Sequence, residues 1–326
     1  MAGRPACTPR ILQLVAVAPA ADHRGMSGMP LRVSLLVFLA GGLATAQQGD
    51  GASETPSDFV RFVDVGDGGR LETAVTTYRN DAGVELVLYG AVHIAEPAHF
   101  TVLQDRFRTR QTLLYELVAS PEHRPNPEEQ STGSGGAIGL LQRGLKNALG
   151  LQFQLDVVDY RPENFVHADM EPEEFQRSMK ERGESLMGIF LRMARSGAAM
   201  GSRDDGEKAP TLDFVSALRS GDGKRQLKIV LGRQLEQMER MALGLDEKGG
   251  STLLEGRNEK CLSVLQERLA AGDRNLGIYY GAAHLPHMEQ RLVRDLGFRK
   301  TGHEWVIAWD CVRKEPAPKA AGNEGK

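Results

Sequence analysis

Two stretches of the chain end in the same pattern, Tyr-Gly-Ala-x-His: YGAVH closes at His93 and YGAAH closes at His284. An imidazole can take or give a proton near neutral pH, or ligate a divalent ion through an unprotonated ring nitrogen. One Gly-x-x-His match is a weak signal, because a histidine after a strand is more often a hydrogen-bonded or exposed residue. The second copy changes the odds. Each copy follows an apolar run, continues into an aliphatic residue (Ile94 or Leu285) and precedes a stretch of helical spacing. The repeat therefore predicts two imidazoles meeting in one cleft. The other histidines do not share this setting. His99 and His287 lie at unlike offsets and are expected on helix surfaces, and His123 falls in a polar loop. His303 is followed by Glu304, but Ile307 stands where a zinc-binding HExxH would need its second histidine.

The elements that must carry these residues can be read from hydrophobic periodicity. FVRFVDV (59–65) and RLETAVTTY (70–78) read as strands, and an Asn-Asp-Ala-Gly turn at 80–83 leads into VELVLYGAVH, which gives an antiparallel opening. Glu96-Pro97 starts a helix with Phe100, Leu103 and Phe107 on one face, and TLLYELV (112–118) is the next strand, completing a βαβ unit. A Pro/Gly/Ser-rich loop at 120–136 opens a mostly helical insertion or lid, about 136–245. Within it Leu227, Val230, Leu231, Leu235, Met238 and Met241 repeat at helical spacing. A helix at 252–271, the strand LGIYYGAAH, a helix around Met288, Leu292 and Leu296 and a strand at 304–312 complete the order. The expected fold is α/β: a central mixed sheet built from two related βα halves, with the helical insertion between them. It occupies one domain, 59–313. In such folds, side chains at the carboxyl ends of strands converge on the ligand crevice.

Composition excludes several classes. The 326 residues are 41% apolar and 25% charged with a formal net charge of −3, an ordinary globular balance. Scattered Lys and Arg give no nucleic-acid footprint, so no nucleic-acid partner is expected. No GxSxG elbow, GxxxxGK[ST] loop or GxGxxG after a strand occurs, which removes serine hydrolase, P-loop ATPase and dinucleotide-binding readings. The three cysteines show no CxxC or clustered Cys/His spacing, so a structural zinc site is not expected. Cys261 and Cys311 form an even pair for which a bridge and two buried thiols are both open.

YGAVH at 89–93, the acidic strand end Tyr115-Glu116-Leu117, the run Gly256-Arg257-Asn258-Glu259 opening a late helix and YGAAH at 280–284 together resemble the TraB/GumN/TIKI family, which groups with the erythromycin-esterase and ChaN-like superfamily. The resemblance spans about residues 84–297. It implies two related α/β halves and, as in the family's animal members, a divalent-metal-dependent protease. His93, Glu116 and His284 would then be both catalytic and metal-ligating. Two imidazoles and a carboxylate leave positions open on Mn, Co, Fe or Zn for water and a substrate carbonyl, with a peptide or small ester as substrate. Arg257 would stabilise an oxyanion or hold a substrate carboxylate, and Asn258 would orient a ligand or water. Without the resemblance, Arg257 and Asn258 read as a helix start with a surface charge. Glu116, inside an apolar run, resists so bland an account, because an unpaired buried carboxylate is costly. Asp169, just before Pro172, is assigned to the entry turn of a helix and left outside the site. Three alternatives stay open: a haem- or iron-binding protein of the ChaN kind, a metal-free hydrolase of the erythromycin-esterase kind with a histidine as general base, and a non-catalytic regulatory protein.

The amino-terminal segment reads as an address. Arg32, the apolar run 33–43 and Ala44-Thr45-Ala46 make a secretory signal with cleavage after Ala46, starting near Met26 or Met29. The run is too short for a permanent bilayer span. Residues 1–46 are thus an extension plus signal, 47–58 a linker and 314–326 a disordered tail, in a secreted or periplasmic protein. The amino terminus of the exported protein, determined by sequencing, is expected at or near Gln47; recovery of soluble protein with residues 1–40 intact would overturn this.

Overall fold

A computed structural model describes residues 59–130, 146–147, 149–185, 222–246 and 252–313. The signal, the linker, the tail and part of the insertion lie outside the described residues. The described chain is α/β with a mixed sheet. Strands β1 (Val60–Val65), β2 (Gly68–Arg79) and β3 (Glu85–Ala91) form the antiparallel opening. A two-residue strand, β4 (Ile94–Ala95), and helix α1 (Pro97–Phe107) lead to β5 (Thr112–Tyr115). The strand at 112 ends at Tyr115, three residues earlier than expected from sequence, so Glu116 sits just past its end.

The next described segment departs from the helical expectation. It contains β6 (Gln152–Phe153), one helical turn (Gln154–Val157), β7 (Phe165–His167) and helix α2 (Pro172–Glu181). Strand β7 adds in parallel to β5, with Leu113 beside Phe165 and Tyr115 beside His167. Three residues are too short for a period to show, which is why tertiary pairing rather than pattern decided this strand. Helix α3 (Gly223–Asp246) is present as read. Leu227 and Ile229 are buried, and Gly232 lies under the Phe62 ring of β1, where a Cβ would fall 2.8 Å from two ring carbons. The described part of α3 is therefore packed on the sheet. A wide π-type turn, Thr252–Gly256, runs into α4 (Arg257–Ala270), followed by β8 (Asn275–Gly281), a tight turn at Ala282–His284, α5 (Leu285–Leu296) and β9 (Arg299–Asp310).

Strand β2 organises one side of the sheet. Its residues 70–79 pair with β9, while residues 68–73 pair with β1 and 75–79 with β3, so β1 and β3 lie end to end along its other edge. Beyond β3 come β8, β5 and β7, all parallel. Gly90 is where β3 meets the start of β1. A Cβ there would fall 3.1 Å from the Phe59 carbonyl oxygen and 3.2 Å from that of Ala74, so close backbone approach accounts for the first glycine of the repeat.

The parallel strands align a row of side chains near their carboxyl ends: Tyr89, Tyr279, Tyr115 and His167 stand side by side. Helix α1 covers this face, with Phe107 edge-on to Tyr89 at 5.1 Å and tilted against Tyr279 at 4.6 Å. Tyr280 points to the opposite face, where Cys261 of α4 meets it. The two copies of Tyr-Gly-Ala-x-His are thus on adjacent strands but one residue out of register, since Tyr89 pairs with Tyr279 and Gly90 with Tyr280. An offset of one places the two motif tyrosines on opposite faces of the sheet.

Cys261 and Cys311 are both buried free thiols, so the even pair forms no bridge. No described helix is long and apolar enough to cross a membrane. His99, expected on a helix surface, is 2% exposed between α1 and β9, with Nδ1 3.2 Å from the Ile307 carbonyl oxygen. The carbonyl can only accept, so Nδ1 carries the proton.

Burial pushes the His99 imidazole down to about 4, against the opposing bond to Ile307. The unfolded chain then takes up a proton between about pH 6.5 and 4 that the folded chain refuses, so stability falls as pH drops through that window and levels off below it. The contribution is about 3 kcal/mol over the window. The variant His99→Asn keeps a donor toward Ile307 and cannot titrate. Denaturant unfolding at pH 7 and pH 4.5 is expected to show a smaller pH-dependent loss for this variant than for the parent.

Candidate functional site

The carboxyl ends of four adjacent parallel strands deliver the polar residues. His93 follows β3 by two residues, Glu116 follows β5 directly, Asp169 follows β7 by two, and His284 ends the tight turn after β8. Arg257 and Asn258 open α4, immediately after the π-type turn. Such turns re-aim the side chains around them and recur at functional sites. The structure thus gathers all five sequence-predicted residues at one end of the sheet.

Arg257 is the centre of the cluster. Its Nε donates to Asp169 Oδ1 at 2.9 Å, and its Nη2 donates to Asp169 Oδ2 and to Glu116 Oε1, each at 2.6 Å. Three of the five guanidinium N–H bonds are thereby committed, and the two on Nη1 serve neither carboxylate. The second Glu116 oxygen, Oε2, accepts the Gly281 backbone N–H at 2.6 Å. A Cβ on Gly281 would sit 3.2 Å from that oxygen, so the second glycine of the repeat leaves room for the carboxylate. Burial raises the Glu116 pKa, but Arg257, then His284 and His93, then the Gly281 N–H outweigh it and hold the group well below the usual carboxylate range.

Asp169 was assigned from sequence to the entry turn of α2. The structure places it in the cluster instead, fully buried against Arg257. Helix α2 is entered at Glu171 without a side-chain cap, and Asp169 Oδ1 accepts the N–H of its neighbour Met170. Its segment is pinned from both sides: Ala168 N–H donates to the Tyr115 carbonyl, and Tyr280 Oη donates to the Ala168 carbonyl at 2.5 Å. One sequence signal could have found it. The strand FVH is followed two residues on by an acidic side chain, loosely echoing TLLY, which is followed directly by Glu116.

Asn258 orients a residue rather than a ligand. Its Nδ2 donates to the His284 carbonyl oxygen at 3.2 Å, which fixes the amide orientation, and its Oδ1 lies 2.6 Å from His284 Nδ1. An amide oxygen only accepts, so Nδ1 carries the hydrogen and Nε2 presents a lone pair. That lone pair faces Glu116 Oε1 at 3.6 Å. Burial pushes the His284 imidazole down to about 4, with Glu116 opposing, so near neutral pH no proton fills the gap. Burial likewise lowers His93, whose ring feels Glu116, Arg257 and Gln154. His287, on α5 and only partly buried, also receives the Asn258 Nδ2 on its Nδ1 at 3.1 Å.

Two carboxylates share one guanidinium here, which leaves a buried excess of negative charge beside two neutral imidazoles. His284 Nε2 and Glu116 Oε1 are facing acceptors, and in donor chemistry and charge this pair fits a cation. The trio is not a preformed cage, however. Among the described residues no three His, Cys, Asp or Glu side chains stand at metal-ligating spacing, and Glu116 Oε1 already receives Arg257.

No family model, no curated protein and no solved structure matches this chain.

Removing Arg257 would leave two buried carboxylates without their counter-charge. Arg257→Met is expected to cost about 3–5 kcal/mol of stability, and adding Asp169→Asn is expected to recover part of that loss. Denaturant unfolding of both variants beside the parent checks this; equal stability of Arg257→Met and the parent would contradict the pairing.

Proposed function

We propose that the chain is an exported hydrolase of peptide or small ester bonds, of the TraB/GumN/TIKI kind, acting where the carboxyl ends of β3, β5, β7 and β8 meet. The observation that carries this reading is the His284 lone pair, held by Asn258 and directed at Glu116 inside a cluster with excess negative charge. His284, Glu116 and, from the neighbouring strand, His93 would hold a divalent ion such as Mn, Co, Fe or Zn. When bound, such an ion would polarise a substrate carbonyl and make a water acidic enough to attack near neutral pH. The chain's own residues supply the rest. Asn258 keeps the His284 ring in one tautomer and one direction. The Arg257 guanidinium is immobilised by Asp169 and Glu116, so the N–H pair on Nη1 is a pre-oriented donor for a developing oxyanion. Gly281 fixes the carboxylate of Glu116 without crowding it.

A second reading has its own support. Arg257 occupies Glu116 Oε1, and a neutral His284 oriented by Asn258 is also what a general base needs. This is a metal-free hydrolase, with the imidazole taking the proton of an attacking water and Glu116 stabilising the imidazolium.

The deciding experiment measures bound metal and hydrolysis of peptide and nitrophenyl ester panels by the exported protein, before and after chelation, with His284→Ala and Glu116→Gln alongside. About one divalent ion per chain is expected in the parent, with both variants losing it. Chelation should lower turnover on the order of 100-fold and added Mn or Co should restore it. Full activity of the stripped parent would replace the ion-dependent reading by the metal-free one. No hydrolysis under any metal loading would overturn both.

A further inference from the structure

The second tyrosine of the repeat does something the first cannot. Tyr89 and Tyr280 stand on opposite faces of the sheet, because β3 and β8 pair one residue out of step. Tyr280 is fully buried, and its hydroxyl donates to the Ala168 carbonyl oxygen at 2.5 Å. Its ring stands edge-on to that of His284, with the centroids 5.3 Å apart. Ala168 is the single residue between the end of β7 and Asp169. Its own N–H donates to the Tyr115 carbonyl oxygen at 3.2 Å. Both peptide planes that flank Ala168 are thus held, one by the backbone of β5 and the other by the Tyr280 hydroxyl.

The plane held by Tyr280 is the one from which Asp169 departs. Asp169 Oδ1 accepts from the Met170 N–H at 2.8 Å and from Arg257 Nε at 2.9 Å, and Oδ2 accepts from Arg257 Nη2 at 2.6 Å. Two-point pairing of this kind fixes the plane of the guanidinium. The bond from Nη2 to Glu116 Oε1 fixes one atom only. The direction of the Nη1 N–H pair is therefore inherited from Asp169, and that of Asp169 from the peptide at Ala168. A tyrosine hydroxyl has one proton to give, and here that carbonyl receives it. We infer that Tyr280 is a positioning residue for Arg257: its hydroxyl sets the peptide ahead of Asp169 and, through the Asp169 carboxylate, aims the free edge of the guanidinium. This rests on the hydrolase reading only for its effect on turnover; the orientation itself is a property of the free protein.

The test uses the full chain labelled with ¹³C and ¹⁵N, with the Arg257 side-chain signals assigned through its backbone. A guanidinium held at two points turns slowly about its Nε–Cζ bond, so the parent is expected to show separate ¹⁵N signals for Nη1 and Nη2. Tyr280→Phe keeps the ring and removes only the hydroxyl, and exchange between the two signals should quicken about 10-fold or more. Tyr89→Phe makes the same deletion on the opposite face and should leave the exchange as in the parent. A hydroxyl with a merely structural role would lower the denaturant midpoint without touching this exchange. Parent-like exchange in folded Tyr280→Phe would therefore overturn the inference, as would an equal effect of Tyr89→Phe or averaged Nη signals in the parent. If Tyr280→Phe does not fold, 3-fluorotyrosine in place of Tyr280 keeps the hydroxyl and makes it a stronger donor. The exchange should then be slower than in the parent, and an unchanged rate would overturn the inference. In the hydrolysis assay Tyr280→Phe should lower kcat about 10-fold with KM nearly unchanged, because an oxyanion donor acts only in the transition state. A parent without hydrolysis counts against the hydrolase reading alone, because the Arg257 signals are recorded without substrate.

Discussion

Arg257 is buried among groups that would each be costly without it. Asp169 and Glu116 arrive from loops after different strands, and the guanidinium binds both while α4 carries it in from the opposite face of the sheet. A buried carboxylate without a counter-charge is among the most expensive things a fold can contain. The ends of β5 and β7 and the start of α4 must therefore come together or pay that cost. The backbone follows suit. The segment around Asp169 is held by Tyr115 and Tyr280, Glu116 is held by Gly281, and the π-type turn before Arg257 sets the direction in which α4 begins.

The same cluster sets the chemistry. One guanidinium cannot neutralise two carboxylates, and the imidazoles that share the space are kept neutral by burial. What results is an arrangement of acceptors under a negative field, with the remaining guanidinium N–H pair as fixed donors. Stability and function pull in different directions here. A fully apolar end to the sheet would cost less to bury, whereas this one stores oriented lone pairs that are useful only when a cation, a proton or a substrate meets them.

The repeated Tyr-Gly-Ala-x-His has a more irregular origin than its spelling suggests. Gly90 is bare because β3 abuts the start of β1, and Gly281 is bare because the Glu116 carboxylate takes its N–H. Tyr89 packs under α1, while Tyr280 reaches the other face to hold Ala168. The histidines come closest to equivalence, each following its strand, but they are held differently: His284 has the Asn258 carboxamide on its ring, and His93 receives the Gln154 backbone N–H on its carbonyl.

Much of the fold was legible in the chain itself. The apolar runs ending at Ala91, Tyr115 and Gly281, the Pro-started helices and the long amphipathic helix after Gly223 are local signals, carried by periodicity and by the restricted backbone of proline and glycine. The placement of His93, Glu116 and His284 at strand ends follows from those same signals once the strands are parallel. Tertiary structure decided what local pattern cannot encode. Strand β7 is three residues long and exists because β5 offers an edge, so Asp169 behind it read as a helix entry rather than a buried partner. Gln154 lies in a stretch without periodicity, and only the pairing of β4 with β6 brings it behind His93. The one-residue offset between β3 and β8, which sends their tyrosines to opposite faces, is a property of the pairing and of neither strand alone. Sequence fixed which side chains could do chemistry and on which elements they ride; the partners that charge, orient and separate them come from residues far away along the chain, because a buried charge or lone pair is satisfied by proximity in space.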